Sequence, residues 1–320
     1  MPEQQNPALR IEQASLDHLR AIAESGELYA VADATDAPAV PKKVLELGPQ
    51  RAVSLYRGTA EEQFWDVAPY LMHVDPPVLD WILSTLDKTR WGIFVVSKAN
   101  LDTLRTHFRH FLKVQSPEGE IWHFRFYDPR VLGPFLQCSQ PPELRQIFGQ
   151  VTAIGLIGPD DAVSMLGERP KNSAAIVDSK GPHFGVHFAL RPEHLKAFQP
   201  QAEADFVNRL VQHLRDGSVG EAPALTNEVL IARVQAGIAR ARRYGLARES
   251  KLAAFVALMF EFAPNFDENP RIQAILRNAQ VPPDEKIYEV VDRTSEEDWA
   301  MVEQSSNPSA WQLPDQQIQK

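Results

Sequence analysis

Residues 121–136, Ile-Trp-His-Phe-Arg-Phe-Tyr-Asp-Pro-Arg-Val-Leu-Gly-Pro-Phe-Leu, read as a strand running directly into a helix. Nearly every residue from Ile121 to Tyr127 is aromatic or β-branched. Alternation places Trp122, Phe124 and Phe126 on one face, expected to be buried, and His123, Arg125 and Tyr127 on the other. Asp128 then precedes Pro129. A carboxylate there can cap the helix by accepting backbone N–H bonds, and proline suits the first helical position, where no N–H is needed. The helix is expected to end near Gln137.

Arg125, Asp128 and Arg130 form a polar cluster open to two interpretations. An acid flanked by two arginines can bind phosphate or act as a general base, which points to a hydrolase or phosphotransfer enzyme. An Asp-Pro helix start accounts for the same residues without chemistry, and no nucleophile, metal-ligand set or glycine-rich loop accompanies them, which favours the structural role.

The run Arg125-Phe126-Tyr127-Asp128-Pro129-Arg130 is accompanied by four others: Leu28-Tyr29-Ala30-Val31-Ala32-Asp33-Ala34, Ser54-Leu55-Tyr56-Arg57-Gly58-Thr59, Ala68-Pro69-Tyr70-Leu71 and Trp91-Gly92-Ile93. In this order and spacing, over residues 27–149, the set resembles the adaptor-chaperone family of bacterial type VI secretion. The resemblance implies a protein that is not an enzyme, has no catalytic residues and no cofactor, binds a toxic effector in the cytoplasm and helps load it onto the VgrG spike. It implies structural or partner-supporting roles for Asp33, Pro69, Tyr70, Trp91, Arg125, Asp128, Pro129 and Arg130. It covers roughly the first half of the chain. A toxin-neutralising immunity protein is a third reading.

Composition bounds the class. At 320 residues the chain is long enough for two lobes. Hydrophobic residues make up 44% and charged residues 23%, as in ordinary globular proteins. A net charge of -9 argues against binding nucleic acid by long-range attraction to phosphates. The single cysteine, Cys138, excludes an intramolecular disulfide and fits a reducing compartment. Without a signal-peptide pattern at Met1 or an apolar run of membrane-spanning length, a cytoplasmic protein with no membrane insertion is expected.

Along the chain, residues before Leu9 are expected to form a loose arm, and Ile11 to Ser25 a helix ending before Gly26. Leu28 to Ala32 reads as a strand closed by Asp33 before a loop at Pro38 and Pro41; an acid there can be catalytic, but pairing an arginine or shaping a turn is the favoured role. Strands follow at Val53 to Tyr56 and Ala68 to Val74, then a helix from Val78 to Leu86 opened by Pro76-Pro77. Trp91 to Ser97 is apolar throughout, which predicts a strand covered on both faces. The next helix, Asn100 to Leu112, carries His107 and His110 at a zinc-compatible spacing, but no third ligand accompanies them and they read as surface or flanking histidines. Lys113 to Gln115 and Ile121 to Tyr127 form a candidate hairpin about Pro117-Glu118-Gly119. A short helix from Pro141 and a strand from Val151 to Ile157 complete the α/β domain, residues 10–168.

Between Gly167 and Pro192 the pattern loosens around a hairpin that includes Phe184 to Leu190. His183, His187 and His194, in and just after this stretch, could look like metal ligands, but His183 and His187 lie about 13 Å apart if the chain is extended, so no shared metal is expected. A helical C-terminal lobe is predicted for residues 190–304 and a disordered tail for residues 305–320. Its helices are Ala202 to Arg215, Thr226 to Tyr244, Glu249 to Ala263, one begun by Asn269-Pro270, and Ser295 to Val302. The fold class is therefore α/β (α+β) with a mixed β-sheet, followed by an α-helical lobe. Arg233, Arg240, Arg242, Arg243 and Arg248 make a dense basic region, either a solvated helix face or a patch for an acidic segment of the effector or spike.

Overall fold

The computed structural model describes residues 6–86, 90–158, 162–168 and 188–312. The chain divides into two units, Met1–Gln201 and Ala202–Lys320.

The first unit begins β1 (Leu9–Ala14), α1 (Leu16–Ser25), β2 (Leu28–Asp33), α2 (Val40–Leu47), β3 (Ala52–Ser54), α3 (Thr59–Gln63), β4 (Pro69–His73) and α4 (Pro76–Thr85). It continues with β5 (Gly92–Val96), α5 (Leu101–Arg109), β6 (Lys113–Gln115), β7 (Ile121–His123), α6 (Pro129–Cys138), α7 (Pro141–Phe148), β8 (Ala153–Ile157), β9 (Val163–Glu168) and β10 (Phe188–Ala189). Seven strands form a sheet in the order β1-β9-β8-β5-β2-β4-β3, and every neighbouring pair is antiparallel. Mixed pairing occurs in the smaller sheet, β10-β6-β7, where β10 runs parallel to β6 and β7 antiparallel to it.

Strand alternation distributes the large sheet's side chains between two cores. Tyr29, Val31, Ile93, Val95 and Ile154 face Leu104, Phe108, Leu132, Phe135 and Leu144 of α5, α6 and α7. Leu28, Ala30, Ala32, Phe94 and Val96 face Leu19, Ala23, Val44, Leu79 and Ile82 of α1, α2 and α4. β5 is buried at all five positions, so its unbroken hydrophobicity reflects helices on both sides.

Two local expectations are corrected. Residues 9–25 are a strand and a helix, divided at Ser15, whose hydroxyl caps α1 by accepting from His18 N. β1 exists because it pairs with β9, about 150 residues away in sequence, and helical periodicity cannot report such a partner. The strand expected from Ile121 to Tyr127 stops at His123: after Phe124 N donates to Leu112 O at 3.0 Å, the chain turns toward α6. Phe124, Phe126 and Tyr127 are buried, whereas Trp122 is 37% exposed and its indole N–H donates to Glu120.

α8 (Pro192–Asp216) leads into the helical unit, followed by α9 (Asn227–Arg242), α10 (Glu249–Glu261), α11 (Pro270–Arg277), α12 (Lys286–Arg293) and α13 (Glu296–Gln304). Thr226, Asn269 and Ser295 cap α9, α11 and α13 through their side-chain oxygens. Leu230, Val234, Phe255, Val256, Phe266, Ile272 and Val290 meet in its core. Past Ser305, where no structure was expected, Pro308–Trp311 forms a 3-10 turn that places Trp311 4.5 Å from Phe260. The remainder of that tail, with His183, His187 and most of the hairpin expected near Phe184, lies outside the described residues.

Candidate functional site

Asp33 ends β2 at the centre of the sheet, where its N–H donates to Trp91 O at 2.7 Å. Its side chain is 2% exposed, with one oxygen accepting from Thr35 N at 3.0 Å and the other from Arg125 Nη2. Arg125 also reaches Asp36 at 2.9 Å, and Arg130 reaches the same Asp36 oxygen at 3.3 Å. Asp128, 4% exposed, caps α6 by accepting from Arg130 N at 2.9 Å. Its two oxygens also take Arg130 Nε at 2.9 Å and Nη2 at 2.7 Å. Asp33, Asp36, Arg125, Asp128 and Arg130 thus form one network joining the sheet to α6.

Burial opposes the charge of Arg125, but Asp33 and Asp36 outweigh it and hold the guanidinium above its ordinary pKa. Both oxygens of Asp33 and of Asp128 are occupied by donors, and both acids are closed to solvent. As arranged, Asp33 and Asp128 fasten secondary elements together, while Asp36, whose side chain is 23% exposed, is the network's one carboxylate open to solvent.

Other motif residues hold the same framework. Pro69 O accepts from Leu55 N at 2.8 Å, extending the pairing of β3 with β4. Tyr70 is fully buried and donates to Trp65 O at 2.6 Å. Gly92, beside the buried Trp91, has φ of +151°, and a Cβ there would lie 2.1 Å from Val31 O. Only glycine fits where β5 approaches β2 this closely.

Next to the network lies a cavity of about 550 Å³, lined by Leu55, Phe64, Val67, Arg57, Arg109 and Lys113 among others. His123 also lines it, with Nε2 3.2 Å from the Tyr127 hydroxyl and 3.5 Å from that of Tyr56. Burial first, then the nearby Arg125 charge, lowers the His123 pKa. Asp36 and this cavity were missed in the sequence. Arg57 stood within a quoted motif, but nothing local shows that α3 and the β6–β7 hairpin enclose it.

The remaining candidates lie elsewhere. His107 is half-buried, with Nε2 2.7 Å from Ile147 O. His194 is fully buried beside Arg191, whose backbone N–H donates to its Nδ1 at 3.0 Å. No group of three or more histidine, cysteine or carboxylate side chains that could hold a metal occurs among the described residues.

In the helical unit, Arg240 pairs with the buried Asp267 at 2.7 Å and with Glu268 at 2.7 Å. Arg242 pairs with Glu203 at 2.5 Å, Arg248 with Asp284 at 2.8 Å, and Arg233 with Glu221. The basic run is therefore largely neutralised by distant acids. Arg240 and Arg243 border one cavity of about 250 Å³, while Arg242 does not line it.

A model of the family described as "Domain of unknown function (DUF4123)" matches residues 28–146. No curated protein and no solved structure matches the chain. No helix among the described residues is long and apolar enough to cross a membrane.

Proposed function

We propose that this protein is an effector-specific adaptor and chaperone of bacterial type VI secretion, which binds a toxin in the cytoplasm and helps load it onto the VgrG spike. The observation that carries the reading is one of position: the family match at residues 28–146 falls on the stretch whose five motifs resemble that adaptor family. Geometry supports a binding role over a chemical one. Asp128 is buried at a helix start, and Asp33, Arg125 and Arg130 are spent on joining β2 to α6. Beside them the surface exposes Phe64, Val67 and Ile121. Covering such apolar surface on both partners contributes about 25 cal/mol per Å² before ordering costs, enough to hold an aggregation-prone segment reversibly.

Co-expression with the toxin encoded beside this gene tests the reading. The toxin's soluble yield should rise, and the two proteins should co-purify. Equal yields with and without this protein, and no complex on size exclusion, would refute it.

A further inference from the structure

The cavity near the network and the outer edge of β7 share a property that neither has alone. In the β6–β7 ladder, Ser116 N donates to Glu120 O at 2.8 Å and Phe124 N to Leu112 O at 3.0 Å. With Val114 opposite Trp122, this phasing makes Lys113–His123 and Gln115–Ile121 the pairs that are not hydrogen-bonded to each other. The N–H and C=O of Ile121 and His123 therefore point away from β6. β7 is the terminal strand of its sheet, and no strand among the described residues pairs with that side.

The cavity opens on the face of the hairpin that carries His123 and Lys113. Its apolar wall is Leu55, Phe64 and Val67, with Phe64 50% and Val67 44% exposed. Its cations are Arg57, Arg109 and Lys113, and among the described residues none of the three has a carboxylate partner. Glu61, whose charge reaches Arg109, is engaged by Arg105 at 3.4 Å. Arg109 donates to Leu55 O, a neutral acceptor. Burial, and then the charges of Arg57 and Arg105, make the Arg109 guanidinium easier to deprotonate than usual. In a chain whose net charge is -9, three cations without an ion-pair partner among the described residues gather around one apolar hollow.

We infer that this surface receives an extended segment of a partner protein, added as a strand to the free edge of β7, with an aromatic or large aliphatic side chain in the hollow and acidic residues against Arg57, Arg109 and Lys113. Backbone pairing with Ile121 and His123 supplies affinity independent of sequence. Alternate side chains supply the choice: in an extended segment residues i, i+2 and i+4 share a face, so acid, aromatic and acid spaced by two match the cations about the hollow. The partner class rests on the adaptor reading above; the surface does not.

Peptide display separates the two. A random 12-residue phage library selected on the full-length protein should enrich acidic residues at two-residue spacing around an aromatic or large aliphatic one. Synthetic peptides from that selection should bind about tenfold or more weakly to the Arg57→Glu, Lys113→Glu double variant, whose altered side chains are exposed, and should lose affinity as salt rises. Ile121→Pro removes the outward N–H without removing a β6–β7 hydrogen bond and should weaken the same peptides. A selection without acidic enrichment, or peptides indifferent to the double variant, would overturn the inference. If the toxin binds wild type and the double variant equally, the surface is wrong and the adaptor reading stands. Acidic peptides that bind while the toxin does not would leave the surface standing and the adaptor reading refuted.

Discussion

At Arg125 the chain solves the problem of a carboxylate buried in a protein interior. Asp33 is 1% exposed, and a charge in that position is tolerated only with a partner and with its lone pairs used. Arg125→Met should therefore destabilise the first unit by about 3 kcal/mol, the scale expected when one member of a buried pair is removed. Adding Asp33→Asn should recover part of that loss, and urea denaturation of the single and double variants measures both. Asp128→Ala should cost about 1 to 2 kcal/mol through the lost cap. An unchanged melting temperature combined with the loss of a measurable catalytic activity would instead favour an enzyme. The cap at Asp128 was legible because Asp-Pro is a local signal. Asp36 was not, since its two arginines lie about 90 residues away in sequence.

Three histidines give the first unit a predicted pH dependence. Burial lowers the pKa of His107, His123 and His194 below the ordinary histidine value. The unfolded chain then takes up protons below about pH 6.5 that the folded chain excludes. Their contribution is complete above that pH and is lost as pH falls toward the folded values. Denaturation at pH 7.5 and 5.5 should show lower stability at 5.5, and His107→Gln should reduce the difference. A variant with the wild-type difference would remove His107 from the account.

Among the elements, β5 and β2 depend on Gly92. Gly92→Ala should cost about 2 to 5 kcal/mol, combining overpacking with backbone strain, and should melt the sheet early in thermal denaturation followed by circular dichroism. A near-native melt would mean that β5 can withdraw from Val31. Helices with a local cap or a proline start, such as α4, α6 and α11, were legible in the sequence. β1 and β9 were not, because each exists chiefly through its partner, and α2 was hidden by prolines that suggested a loop. On α9, Arg240→Glu should lower stability by leaving the buried Asp267 unpaired, whereas Arg243→Glu should leave stability unchanged. Partner capture weakened by Arg243→Glu alone would assign α9 a role in binding.

For the whole molecule, an α/β first unit followed by a helical one was legible from periodicity and turn signals, because those signals are repeated along the chain. The antiparallel order of the large sheet was not. Pairings such as β8 with β5 and β9 with β1 are set by packing across long stretches of sequence. The candidate site divides in the same way. Motif residues mark the framework that holds it, while the cavity forms where α3, the end of α5 and the β6–β7 hairpin meet. The proposed function is compatible with that division, since the motif acids join the framework and the proposed binding surface lies beside them.

The central claim is specificity for one toxin, and delivery from a strain lacking this gene tests it most directly. Killing of a susceptible competitor by the toxin of the neighbouring gene should be abolished and restored by complementation, while the other type VI cargo of the same strain is delivered normally. Undiminished delivery of that toxin would contradict the account, and loss of all type VI delivery would indicate a structural part of the machine.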